Sequence, residues 1–109
     1  MKTSELSGPA LDWAVAKCEG VINGDDLDIG FVLESGYAPS TNWSQGGPII
    51  EREQIWLQPE IGKEGCGNAW YAVSMHNTDA YGPTPLIAAM RCYVASKLGD
   101  EVDVPEELK

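Results

Sequence analysis

Histidine is nearly missing from this chain, and cysteine, phenylalanine and basic residues are scarce: one His, three Cys, one Phe and seven Lys plus Arg in 109 residues. Each scarcity removes a class of function. Cys18, Cys66 and Cys92 form no CxxC pair and have no histidine beside them, so neither a disulfide framework nor a zinc cluster is indicated and reduced thiols are expected. Seven basic against seventeen acidic residues give a net charge of -10, which repels phosphates and disfavours direct nucleic-acid binding. No apolar run approaches the ~18 residues of a membrane span. The opening MKTSELSGPALDW lacks the apolar stretch and small-residue cleavage site of a secretory signal, so the protein is expected to stay in the cytoplasm where it is made.

Catalytic and cofactor motifs are missing too. His76 sits in a polar turn with Asn77, Thr78 and Asp79, and no serine or cysteine stands at a spacing that predicts a dyad, so a non-enzymatic protein is expected. GxGxxG and the Walker pattern are absent, and Gly46-Gly47-Pro48 lacks the lysine and hydroxyl residue of a phosphate loop. Asn23, Asp25, Asp26 and Asp28 lack the glycine that a calcium loop needs at its sixth position and read as a solvated turn. No metal and no cofactor are expected.

What is present suffices for one core. A helix is predicted after Ser7, with Pro9 in its first turn, Leu11, Ala14, Val15 and Cys18 at helical spacing, and Gly20 as its stop. Ile29, Phe31 and Leu33 read as a short extended segment after the 23–26 turn. Between Tyr37 and Gln54 the spacing predicts a second helix, broken at Gly46 and Gly47. Ile55–Leu57 and Ala69–Met75 read as strands joined by a glycine-rich connection in an antiparallel hairpin. The clearest element is the last: Thr84 as N-cap, Pro85 at the first helical position, no breaker through Leu98, and Gly99 at the end. Its apolar residues lie on nearly every side, which makes it central. The expected architecture is an α+β domain over 1–99, a small antiparallel sheet packed with about three helices. Residues 100–109 read as an acidic, poorly ordered or loosely docked tail.

Two places concentrate binding chemistry. Residues 36–52 gather Tyr37, Ser40, Thr41, Trp43, Gln45 and Arg52 around a helix start, where backbone N–H groups and the helix dipole attract anions and aromatic faces can stack on a flat ring. The ordinary alternative is that Ser40 or Thr41 caps the helix while Tyr37 and Trp43 pack. The second place is the Thr84 helix start followed by Arg91, the lone charge of an apolar helix, with Trp70 facing it from the sheet. Arg91 either pairs with a carboxylate such as Asp12 or Glu51, the commoner arrangement, or awaits an anionic ligand.

The segments YAPSTNWSQGGPIIERE, NAWYAV, GPTPLIAAMRCYVASKLG and SGPALDWAVAKCEG together resemble the NinX family of bacteriophage proteins. More distantly, the order of helix, Tyr-Ser-Thr helix start, tryptophan-bearing strands and arginine-bearing last helix is similar to phage α-β-α sandwich domains. The resemblance implies a small accessory protein of lambda-like phages or prophages, made in the bacterial host cytoplasm, with no assigned enzymatic activity.

Two functions are expected from these residues. In the first, the protein binds a small anionic, nucleotide-like ligand, sequestering a host defence signal, with subunits pairing to complete the site. Tyr37 or Trp43 stack, Ser40, Thr41 and Thr84 hold phosphate at the helix starts, and Arg91 supplies charge. In the alternative, an acidic protein-interaction factor modulates a host or phage DNA-processing enzyme by charge complementarity. A homo-oligomer is expected in either case, because a small sheet with three helices leaves an apolar face to cover.

Overall fold

The structure, a computed structural model, describes residues 2–20, 36–60, 69–75, 77–104 and 108. The 23–28 turn, the extended segment at 29–33, the glycine-rich connection, Cys66 and His76 lie outside them. A short 3-10 turn, Thr3–Glu5, leads into helix α1, Gly8–Glu19. Ser7 is its N-cap, although its side chain makes no capping bond, and Gly20 closes it in the left-handed region at φ 77°. Helix α2 is Trp43–Glu53, and strands β1 (Trp56–Glu60), β2 (Ala69–Val73) and β3 (Asp79–Gly82) precede helix α3, Pro85–Leu98.

The expected hairpin is present: β1 and β2 pair antiparallel with Trp56 opposite Val73. The strand β3 was not anticipated. It pairs antiparallel with β2, placing Val73 opposite Asp79 and Trp70 opposite Gly82, so the sheet order is β1-β2-β3. Four residues reading Asp-Ala-Tyr-Gly carry little strand propensity of their own, and their neighbours in space decide the conformation. Gly82 shows how close those neighbours come, because a Cβ there would lie 2.6 Å from the backbone nitrogen of Ala88.

The α+β class, the three helices and the antiparallel sheet match expectation. Helix α3 is central, packing against all three strands on one side and against α1 and α2 on the other. Among the described residues α3 is therefore the element that joins the sheet to α1 and α2. Leu11, Trp13 and Val15 of α1 and Ala89, Met90 and Val94 of α3 form the middle of the core. The opposite face of the sheet leaves Trp56 65% exposed and Tyr81 42% exposed.

Two expectations are corrected. Helix α2 is continuous through Gly46 and Gly47, and Gly46 is buried against the preceding loop, where a Cβ would sit 2.4 Å from the Pro39 carbonyl oxygen. The glycine there permits close packing instead of breaking the helix. The C-terminal segment is not loosely docked: Glu101 forms an antiparallel bridge with Lys2, Thr3 N–H donates to the Asp100 carbonyl at 2.8 Å, and Val102, Val104 and Leu108 are buried in the core. Spaced apolar residues in an acidic segment gain more by burial than the charges between them lose at the surface. No helix among the described residues is long and apolar enough to cross a membrane.

Candidate functional site

The predicted binding residues are distributed over three places. At the first, the two helix starts do come together: Ser40, Thr41 and Trp43 before and at α2 and Thr84 before α3 line one shallow depression of about 210 Å³. Several of its backbone donors are already engaged. Asn42, not Ser40 or Thr41, caps α2 by accepting from Ser44 N–H at 2.9 Å, and the Asn42 carbonyl accepts from Gln45 and Gly46 N–H. Thr84 caps α3 as expected, accepting from Ile87 N–H at 3.1 Å. Ser40 is buried and its N–H donates to the Asp12 carboxylate at 3.0 Å. Burial pushes Asp12 up and Ser40 partly offsets it; the Ser40 hydroxyl is near enough to favour the charged carboxylate without reaching hydrogen-bond geometry. Trp43, 55% exposed, is the largest open side chain of the depression.

The second place is an ion-pair cluster built on Arg52. Its guanidinium meets Glu19 through both terminal nitrogens, at 3.1 and 2.6 Å, and donates from Nε to Glu53 at 2.9 Å. Tyr93 hydroxyl donates to Glu19, and Lys97 lies 3.7 Å from Glu53. The Arg52 hydrogen bonds hold the Glu19 carboxyl below its usual range, and the two carboxylates raise the guanidinium pKa in turn. Arg52 is thereby a structural tie between α1 and α2. Gln45 is structural too: its side-chain oxygen accepts from Ala38 N–H and its amide donates to the Gly36 carbonyl, folding the loop onto α2. Tyr37 is half-buried against the core, with its hydroxyl pushed up to about 12 by that burial. Trp70 is likewise packed on the core from β2 and lines neither hollow.

Arg91 defines the third place. It pairs with neither Asp12 nor Glu51. Nε donates to the Leu6 carbonyl and Nη1 to the Tyr81 carbonyl, both at 2.8 Å, which pins the amino-terminal turn and β3 to α3. No carboxylate among the described residues pairs with it, and burial alone lowers its pKa. The side chain opens on a hollow of about 780 Å³ between the amino-terminal turn, β3, α3 and the start of the C-terminal segment. Lys2 adds a second cation to the lining, Asp79, Asp100 and Glu101 add carboxylates, and Ala80, Pro83 and Ala95 add apolar wall. The sequence reading missed all of these except Arg91, since the lining joins both ends of the chain; the lone charge in an apolar helix was the one legible signal.

Nucleophilic chemistry gains no support from the two described thiols. Burial pushes Cys18 up to about 12 and Cys92 up to about 11, and Cys92 donates to the Thr78 carbonyl. No group of His, Cys, Asp and Glu among the described residues is arranged to hold a metal ion.

No curated protein matches the chain. The profile of the family described as "Bacteriophage P22, NinX" matches residues 2–97, which includes α1, α2, the whole sheet and all but the last residue of α3. The chain therefore belongs to the NinX family of bacteriophage proteins.

Proposed function

We propose that this phage protein is a non-catalytic binder of a small anionic, nucleotide-like ligand in the host cytoplasm, and that the ligand enters the hollow beside Arg91. The observation that carries this reading is a half-buried guanidinium with no carboxylate partner among the described residues, at the wall of a hollow of about 780 Å³. Two carbonyls orient the group and Nη2 meets no acceptor among the described residues, so an incoming phosphate or carboxylate supplies the counter-charge that burial has withheld. The size is within the ~300–1,000 Å³ of small-molecule sites. Two cations face three carboxylates around the lining, which favours a ligand of low charge with its anionic group at Arg91 and an uncharged, flat body against Pro83 and Ala95. Sequestration of a host defence signal is the role such a binder serves without chemistry of its own.

Native mass spectrometry of protein purified gently from its bacterial host tests the reading. A small anionic mass retained by the wild type, lost on denaturation and absent from folded Arg91→Gln protein is the expected result. Loss of one charge-assisted contact predicts roughly 10- to 100-fold weaker binding of that ligand. A ligand-free spectrum, together with no calorimetric response to nucleoside monophosphates, overturns the reading.

A further inference from the structure

The sheet has a second face, turned away from α3, and its chemistry differs from the hollow's. Directly paired residues share a face, so Trp56, Val73 and Asp79 form one cross-strand row and Gln58, Tyr71 and Tyr81 the next. Tyr71 and Tyr81 rings stand 4.9 Å apart, and the Tyr71 hydroxyl donates to Asp79 at 3.0 Å, which fixes that carboxylate on the face. Met75, just beyond β2, is also exposed. Trp56 and Asp79 flank Val73 at about 10 Å from one another, two strand spacings.

Elsewhere in this molecule, aromatic rings attract the chain's own cations. Lys17 lies 5.4 Å from the Trp13 ring centre, and Arg52 and Lys97 lie 5.7 and 5.9 Å from that of Tyr93. Trp56 is the most exposed of the described large apolar residues at 65%, and no cation of the described residues lies over it. Neither row contains a lysine or arginine, and the chain as a whole carries a net charge of -10. Charge and ring chemistry therefore call for the same occupant. A second copy of the chain brings the same acidic charge and the same unmatched aspartate, whereas a basic segment brings a cation for the tryptophan face, an aliphatic stem for Val73 and a counter-charge for Asp79.

We propose that this open face, centred on the Trp56–Val73–Asp79 row, docks an arginine- or lysine-bearing segment of a protein partner. The face borders the Arg91 hollow at Asp79 and Tyr81, which line both, whereas Trp56 and Val73 lie outside the hollow's lining, so Trp56 variants test the face alone.

The test is amide and indole shift mapping of the full-length 15N-labelled protein with a decapeptide of alternating arginine and valine. The same decapeptide with glutamate in place of arginine is the control. Saturable shifts at the Trp56 indole and at the Val73 and Asp79 amides, absent with the glutamate peptide, are expected. Trp56→Ala weakens the affinity at least about fivefold, as loss of a cation–π anchor requires, and Asp79→Asn weakens it and flattens its salt dependence. Trp56 is exposed enough for its alanine variant to fold, and Trp56→Tyr, which keeps a π face, is expected to restore part of the binding. Shifts confined to other surfaces, equal binding of Trp56→Ala, or equal response to the glutamate peptide overturn the proposal. So does a sedimentation-detected dimer that Trp56→Ala dissociates, which assigns the face to self-association.

Discussion

Arg52 and Arg91 carry the same group in opposite surroundings. Arg52, half exposed, is surrounded by Glu19 and Glu53, and its charge is matched inside the chain. Arg91, more buried, is held by two carbonyls and meets no carboxylate among the described residues. The first arrangement ties α1 to α2 in a solvent-screened setting where ion pairs contribute little. The second keeps a cation at a wall where desolvation makes an added anion worth more. An arginine whose partners are already present is part of the scaffold; one oriented by neutral acceptors retains capacity for a ligand.

The strongest way to break this comparison is to remove the part of the chain that builds the Arg91 side alone. Deleting residues 101–109 strips Val102, Val104 and Leu108 from the core and Glu101 from the hollow. The expected loss is a few kcal/mol, since each of the three buried side chains contributes about 1.5–3 kcal/mol by its burial. Denaturant unfolding measures it, and a loss below about 1 kcal/mol shows that the segment contributes no core.

Charge removal at each arginine is the next largest effect. Arg91→Gln forfeits a charge-assisted clasp on Leu6 and Tyr81, with an expected cost of about 2 kcal/mol in thermal or denaturant unfolding. Arg52→Gln is expected to cost about 1 kcal/mol or less, and less still in high salt. A larger loss at Arg52 than at Arg91 shows that the exposed ion pairs outweigh the half-buried carbonyl clasp and overturns the distinction.

The smallest effects are carboxylate titrations, of opposite sign. Glu19 is lowered by Arg52, so it contributes stability above the ordinary carboxylate range that is lost as pH falls through its depressed pKa. Asp12 is raised by burial, so its ionised form costs stability at neutral pH and the cost is relieved as pH falls through the raised pKa. Melting curves of Glu19→Gln are expected to show a lower midpoint than wild type at pH 7 and to converge with it as pH falls through the depressed Glu19 pKa. Asp12→Asn retains an oxygen to accept from Ser40 N–H and is expected to match or exceed wild type at pH 7. A clear loss there means that the buried carboxylate charge itself is needed.

Local signals were legible where one residue type does one job. Thr84, Pro85 and Gly99 bounded α3, Gly20 closed α1, and β-rich runs around Trp56 and Trp70 announced the hairpin. The same reasoning failed at Gly46, because a glycine that admits a close backbone contact looks in sequence like one that ends a helix. It failed at β3 because pairing with β2 supplies what Asp-Ala-Tyr-Gly lacks. Of the candidate ligand residues, Ser40, Thr41, Trp43 and Thr84 did converge, Gln45 and Arg52 were consumed by internal contacts, and Arg91 stood elsewhere. Pairs such as Arg52 with Glu19, 33 positions apart, leave no mark on local periodicity.

By itself the sequence determined the α+β class, the central apolar helix, the acidic charge and the position of a lone arginine within that helix. These follow from propensity, capping and periodicity, which act over a few residues. Only the tertiary structure decided which arginine meets a carboxylate, that the C-terminal valines enter the core, and that both chain ends enclose the Arg91 hollow. Those outcomes depend on which distant groups share a desolvated space, and contact across the fold sets that energy, whatever the order of residues along the chain.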